Sequence, residues 1–334
     1  MDERFEIEEI KENEWEMWDE WLVKQSSSTP FSTSWWLKTV CDIFGGSPRI
    51  FVVRDNKEEI IGGVGLREIR IIGKHIISPS NLSLYMPIVL SEGLDFRDIV
   101  DVSIQLGTFL KSKFNVIRSI GNTKELYDVR GFQWLGYDIK VSYTAITDLK
   151  NLDINGIDRS QKKRIKKAER EELNTGLCDD IDVMWDIWNK TFKRQNISSS
   201  VSLSELKYLY QKIKDRNSGQ GFVTFTKNGE PVSFRVCIWN NSNIAYDWIA
   251  GTDPSYFSIG ASSFNVWTTL QYLKLQEFSV FDWCGANIQS IANFKLSFGA
   301  KLVPYFEIQC VPYWFNLAFK VRTFLKDIIR SNSK

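Results

Sequence analysis

Apolar positions along this chain follow two spacings, and these alternate in the same order twice. In "EIKENEWEMWDEWLVKQ", Trp15, Trp18 and Leu22, with Trp21 beside them, form one stripe of an acidic helix. "SSSTPFSTSWWLKTVCDIFGG" reads as a polar loop, Pro30, and a short helix ending near Gly45–Gly46. Period-two runs follow in "PRIFVVRDNKEEIIGGVGLREIRIIGKHIISP", with a turn at Asp55–Asn56, and "LSLYMPIVLSEG" adds a further strand. "FRDIVDVSIQLGTFLKSK" has helical spacing, "NVIRSIG" is a buried-strand pattern, and "VSYTAITDL" closes the first half as a strand.

The second half opens on a basic helix, "DRSQKKRIKKAEREE", in which Asp158 can cap the start and Ile165 and Ala168 give a thin apolar line. Helices "IDVMWDIWNKTFKRQN" and "SLSELKYLYQKIKDRN" come next. A meander follows, with turns at Asn228–Gly229 and Asn240–Asn241. Helix "GASSFNVWTTLQYLKLQ" carries Phe264, Trp267 and Leu270 on one face. Strand "FSVFDWCG", the loop-helix "NIQSIANFKLSFGA" and strand "KLVPYFEIQCV" complete the order. The repeat of helix, strands, long helix and strand predicts two copies of one α/β unit with mixed sheets. The expected boundaries are 1–150, 151–312, and a C-terminal amphipathic helix over 313–334.

Length and composition narrow the function. A chain of 334 residues fits two domains, and 43% hydrophobic residues supply their cores. A net charge of +1 excludes wholesale coating of nucleic acid, so any anion site is local. The five cysteines are scattered and form no C-x-x-C pair. The single histidine, His75, cannot supply a two-histidine metal site, and it sits in a strand beside Lys74 as an ordinary structural or surface residue. No metal is expected. The acidic start has no apolar signal region and no run reaches the length of a membrane span. The expectation is a cytoplasmic protein, with its tail able to touch the inner membrane face. In that tail Trp314, Leu317, Val321, Phe324 and Ile328 share one side. Docking on the second domain is the simpler use of such a stripe, and contact with anionic lipid the other.

Three segments bear chemistry. The basic helix crowds Lys162, Lys163, Arg164 and Lys167 near its N-terminus and its acids later, against the order the helix dipole favours. It reads either as a solvated basic face or as a clamp for substrate phosphates. The small residues Gly260, Ala261, Ser262 and Ser263 open a helix with bare amides, which suits an anion or simply a helix start. In "FDWCGANIQSIANFKLSFGA", Asp282 ends a strand, Gly285 permits a sharp turn, and Lys295 stands on the following helix.

"FDWCGA" followed by "IANFKLSFGA" resembles the signature of FemABX-like proteins, bacterial acyl- and aminoacyltransferases built from two GNAT-like domains. "SQKKRIKKAER" resembles that family's basic helix, "GASSFNVWTTLQYL" its helix after the central strand, and "LYMPIVL" its first-domain strand and loop. "PFSTSWWLKTV" resembles the N-terminal helix of the family and of GNAT acetyltransferases of polysaccharide biosynthesis. Phe257 stands where the GNAT pyrophosphate loop carries Gln or Arg. The resemblance implies attack by an amine on an activated acyl carbon, a reaction needing neither metal nor histidine. The donor, acyl-CoA or aminoacyl-tRNA, would be a substrate and not a permanently bound cofactor, seated at Gly260–Ser263. Lys295 would meet the developing charge, and its removal would leave the fold intact. Asp282, or Asp247 in "AYDW", is the candidate base. Tyr85 and Tyr246, with the basic helix, would hold the acceptor, a phosphate-bearing sugar or lipid-linked cell-envelope precursor. An N-acetyltransferase acting on a sugar or nucleotide-sugar, and a binding scaffold with a decayed donor site, are the alternatives.

Overall fold

The computed structural model describes residues 4–195, 199–240, 243–313 and 315. The first half runs β1 (Glu6–Ile10), α1 (Trp15–Val23), α2 (Ser34–Phe44), β2 (Ser47–Arg54), β3 (Ile60–Ile71), β4 (Lys74–Ile77), β5 (Ile88–Leu90), α3 (Phe96–Lys113), β6 (Val116–Gly121), α4 (Arg130–Trp134) and β7 (Asp138–Asp148). The second runs α5 (Arg159–Arg170), β8 (Asn174–Leu177), α6 (Ile181–Gln195), α7 (Leu203–Lys214), β9 (Gly219–Phe225), β10 (Pro231–Trp239), β11 (Ile244–Thr252), α8 (Ala261–Leu275), β12 (Val280–Asp282), α9 (Gln289–Leu296) and β13 (Lys301–Cys310). Apart from β5 in the first half and α5 in the second, the two halves run through the same order of elements. Among the described residues no helix is long and apolar enough to cross a membrane.

The strands form one mixed sheet in the order β1-β2-β3-β4-β6-β13-β7-β12-β11-β10-β9-β8, with β5 beside β3. Each half therefore ends its chain in the other half's sheet. The last strand of the first half, β7, pairs with β12 and β13. The last strand of the second half, β13, pairs with β6 and β7. The β7–β13 ladder runs from Lys301 opposite Ile146 to Gln309 opposite Asp138. A boundary near residue 150 thus separates the repeats in sequence but not in the sheet.

Cores also cross the boundary. Phe31, Trp36, Leu82 and Tyr85 of the first half pack into one cluster with Met184, Leu206, Phe234 and Trp248 of the second. A separate cluster under α3 joins Phe51, Leu66, Leu106, Ile117 and Phe132. A third joins Ile165 and Ala168 of α5 to Ala261, Trp267, Phe281 and Trp283.

Two local readings change. Glu9 and Ile10 belong to β1 rather than to the acidic helix, because Ile10 faces the core and pairs with Ile50. In "LSLYMPIVL" only Ile88–Leu90 is strand. Pro87 lacks the N–H a ladder needs, and residues 78–87 leave the sheet as a loop. The Asn228–Gly229 turn is present, with Gly229 at φ +81. Asn241 and the amphipathic tail, apart from Tyr313 and Phe315, lie outside the described residues.

Residues 1–150 expressed alone are expected to lack a cooperative fold, since β7 loses both neighbours. Co-expressed with residues 151–334, they should co-purify as a folded pair, measured by affinity capture and far-ultraviolet circular dichroism.

Candidate functional site

The parallel pairing of β11 with β12 covers only Ile244–Tyr246 against Val280–Asp282. Beyond it the strands part. On β11 the register against β10 slips at Trp248, which is an extra residue between Asp247 and Ile249 and makes a bulge. On β12 the chain turns through Trp283, Cys284 and Gly285, with left-handed φ of +53 at Cys284 and +99 at Gly285. A left-handed cysteine costs on the order of 1–2 kcal/mol, so its neighbours must hold it there.

Five hydrogen bonds do so. The Cys284 N–H donates to Asp282 Oδ1 at 2.8 Å, and Gly285 N–H to Thr144 Oγ1 at 3.2 Å. The Ala286 N–H donates to the Tyr143 carbonyl at 2.6 Å. The Lys295 ammonium donates to the carbonyls of Trp283 and Gly285 at 2.5 and 2.6 Å. Lys295 is thus the pin of the turn. Burial pulls its pKa down, while Asp247 and Cys284 oppose that pull.

Asp282 is 6% exposed. It accepts from Thr144 Oγ1 at 2.6 Å and from the Tyr85 phenol at 3.1 and 3.0 Å. Burial raises its pKa above the ordinary carboxylate value, although these donors and the charge of Lys295 favour the anion. Tyr85 arrives from the 78–87 loop. That loop is anchored by Trp248 Nε1 donating to the Leu82 carbonyl at 3.0 Å and by Met86 N–H donating to the Gly121 carbonyl at 2.8 Å. The Tyr85 ring sits 6.2 Å from Tyr246 and 5.5 Å from Tyr305, edge to face. Burial and the Asp282 carboxyl push the phenols of Tyr85 and Tyr246 well up. Glu125 adds to the rise at Tyr246, and it lines a hollow of about 240 Å³ with Ser27, Glu92 and Tyr127.

Lys295 also feels Asp247 and Arg235, which form an ion pair with side chains 8% and 7% exposed. Arg235 lies 5.7 Å from the centroid of the Trp283 ring. Asp247 is thereby paired with a cation, whereas Asp282 is held by hydroxyl and amide donors and has no ion-pair partner among the described residues. Burial raises the Cys284 thiol well above its ordinary pKa, so it is a thiol at neutral pH. His75 stands apart, bonded through Nδ1 to Glu68 at 2.6 Å.

The first turn of α8 is not the open cradle its small residues suggest. Gly260, at φ +86, lies so close to α5 that a Cβ there would sit 2.3 Å from the Arg164 carbonyl oxygen. Ala261 and Ser263 are buried, and Ser262 alone of the four keeps partial exposure. Gln161 completes the closure, accepting from Ser263 Oγ at 2.7 Å and donating to Ser297 Oγ at 2.9 Å. Asp158 holds the N-cap position of α5, but its side chain makes no capping bond. Its own N–H donates to the Ser297 carbonyl at 2.8 Å.

The structure therefore gathers Tyr85, Tyr246, Asp282 and Lys295 at one place. It leaves the basic helix elsewhere: Lys163, Arg164 and Lys167 are exposed, and Lys162 donates to the Asn155 carbonyl at 3.0 Å. Thr144 alternates with its neighbours like any strand residue and Gln161 sits in a wholly polar helix turn, so neither stands out in the sequence. Arg235 in "SFRVCIW", a charge inside a buried run, was the one legible signal.

Residues 158–296 match the family model described as Acetyltransferase (GNAT) domain. FemX superposes with a TM-score of 0.71 at 11% identity, over 95% of this chain and 99% of that one. The C-terminal domain (DUF2156) of a putative lysylphosphatidylglycerol synthetase from Agrobacterium fabrum gives 0.57 at 13%, over 92% and 97%. A tandem GNAT protein from the clavulanic acid biosynthesis pathway gives 0.52 at 8%, over 91% and 97%. No curated protein matches the chain in sequence. These likenesses establish the fold.

Lys295→Ala would leave two carbonyls of a strained turn without their donor. The variant is therefore expected to stay folded but to lose about 2–4 kcal/mol of stability, measured by urea denaturation. Because Asp282 holds its proton more tightly when folded, its contribution to stability falls as pH rises from its ordinary value through its raised one. Asp282→Asn should remove that decline, so the variant gains on the parent from pH 4 upward in denaturation midpoints.

Proposed function

We propose that this chain, which carries a GNAT acetyltransferase domain over residues 158–296 on a tandem fold like that of FemX, is an acyltransferase moving an aminoacyl or acyl group to an amine of a cell-envelope precursor. The observation that supports this most is the buried Asp282 carboxyl at the parting of β11 and β12, hydrogen-bonded by Tyr85 from the other half. A carboxylate whose pKa is raised by burial is a stronger base than an ordinary one, which suits it to take the proton that an attacking ammonium must lose. The nitrogen then bonds the acyl carbon and the bond from that carbon to the carrier's oxygen or sulfur breaks; the second proton lost by the nitrogen goes to that leaving atom, and the one held by Asp282 passes to solvent. Lys295 has a third N–H beyond its two carbonyl bonds, which suits the negative charge developing on the acyl oxygen.

Tyr85, Tyr246 and Tyr305 are buried around the carboxyl, and we assign the acceptor's approach to the hollow lined by Glu92 and Glu125, whose Glu125 acts on Tyr246 behind it. The closure of the α8 first turn by α5 leaves little room for a CoA pyrophosphate at its usual seat. It favours an ester donor held on a larger carrier, of the aminoacyl-tRNA kind. A lysylphosphatidylglycerol synthetase domain among the structural neighbours is, by its name, concerned with an aminoacylated lipid. The second reading, an acetyl-CoA-dependent N-acetyltransferase on a sugar or nucleotide-sugar, draws on the description of the matching family model. The reading places the protein in the cytoplasm.

The test is group transfer from radiolabelled donors to UDP-linked cell-wall precursors. Label moving from aminoacyl-tRNA and not from acetyl-CoA is expected. The reverse result would establish the second reading. Asp282→Asn should lower the transfer rate by about 10²–10⁴-fold.

A further inference from the structure

A groove of about 620 Å³ runs between α5 and α8. It lies at the start of β12, where Leu149 N–H donates to the Ser279 carbonyl at 2.9 Å, at the opposite end of that strand from Asp282. Its floor is aliphatic: Leu152, Ile154, Ile165 and Leu275, with the edge of Trp267. Leu275 is 79% exposed, unusual for a leucine at the end of a helix whose other leucines are fully buried. Its rim carries Lys162, Lys166 and Lys274. Two of these are fixed in place, Lys162 by the Asn155 carbonyl at 3.0 Å and Lys274 by the Leu152 carbonyl at 2.8 Å. Each keeps two further N–H groups for a ligand. Asp153 and Glu169 also line the groove, but the Asp153 carboxylate is turned to the N–H of Asn155 at 3.1 Å.

The charge outside the groove continues in the same sign. Arg159, Lys163, Arg164, Lys166, Lys167 and Arg170 are exposed on α5, and none has an ion-pair partner among the described residues. We propose that this face docks on an anionic bilayer, with one acyl chain of an anionic phospholipid in the groove and its phosphate between the rim lysines. The floor decides against nucleic acid as the occupant. A strand of RNA would want an open aromatic platform, and the only aromatic ring here, Trp267, is 8% exposed. Aliphatic walls below a lysine rim match a chain below a headgroup. The C-terminal segment is a poor occupant, because its Lys320, Arg322, Lys326 and Arg330 carry the same sign as the rim.

Sedimentation of the full chain with vesicles tests this. Binding to equimolar phosphatidylcholine and phosphatidylglycerol, but not to phosphatidylcholine alone, is expected. Lys166→Glu combined with Arg170→Glu should weaken binding about tenfold or more. Leu275→Asn, at an exposed site that folding does not depend on, should weaken it several-fold with the salt dependence unchanged. Three results would overturn the proposal: no preference for the anionic vesicles; the double variant binding like the parent, which places the contact elsewhere; or Leu275→Asn binding like the parent while transfer RNA displaces the protein, which makes the face a general polyanion surface.

Discussion

The β7–β13 ladder is the joint on which the molecule rests. Two strands, each the last of its own half, lie side by side at the centre of the sheet and complete the opposite half. A strand at that position cannot be withdrawn without exposing two edges, and an exposed edge is costly in water. The site inherits this rigidity. Thr144, which orients Asp282 and holds the turn amide of Gly285, stands on β7. Tyr305 stands on β13. The carboxyl belonging to the second half is therefore positioned by a strand of the first.

The same joint explains how charges are tolerated so deep in the structure. Arg235 and Asp247 form a buried ion pair beside Trp283. Lys295 is occupied by carbonyls that a left-handed turn aims at it. Removing one partner of the Arg235–Asp247 pair costs about 3–5 kcal/mol, far more than the pair contributes net. The arrangement is better understood as fixing a geometry than as adding stability. It holds two strands apart where an ordinary sheet would close them.

Much of this was legible in the sequence. Long periodic segments such as α3 and α8 were plain, and "FDWCGA" with "FKLSFGA" brought Asp282 and Lys295 into one candidate site. What the sequence concealed were contacts between residues far apart in the chain. The small residues 260–263 look like an anion cradle on their own, and only the packing of α5 shows them covered. The strand exchange leaves no local signal, since β7 and β13 alternate like any other strands. Tyr85 sits in a segment whose apolar run imitates a strand, and Pro87 was the clue that it is a loop. Gln161 bridges two serines more than a hundred residues away, and no spacing rule reaches that far.

The two halves differ at one point of their shared plan. In the second half, β11 and β12 separate and stay separate. In the first, the corresponding strands β4 and β6 also run parallel and part after Ile77 and Ile117. There the opening is stitched shut, by Met86 N–H to the Gly121 carbonyl and by Ile88 N–H to Asn122 Oδ1 at 2.9 Å. The loop that does the stitching is the one that delivers Tyr85 across the interface. A doubled architecture is thus left with a single open parting, and the closed copy survives as the arm that reaches Asp282 in the open one.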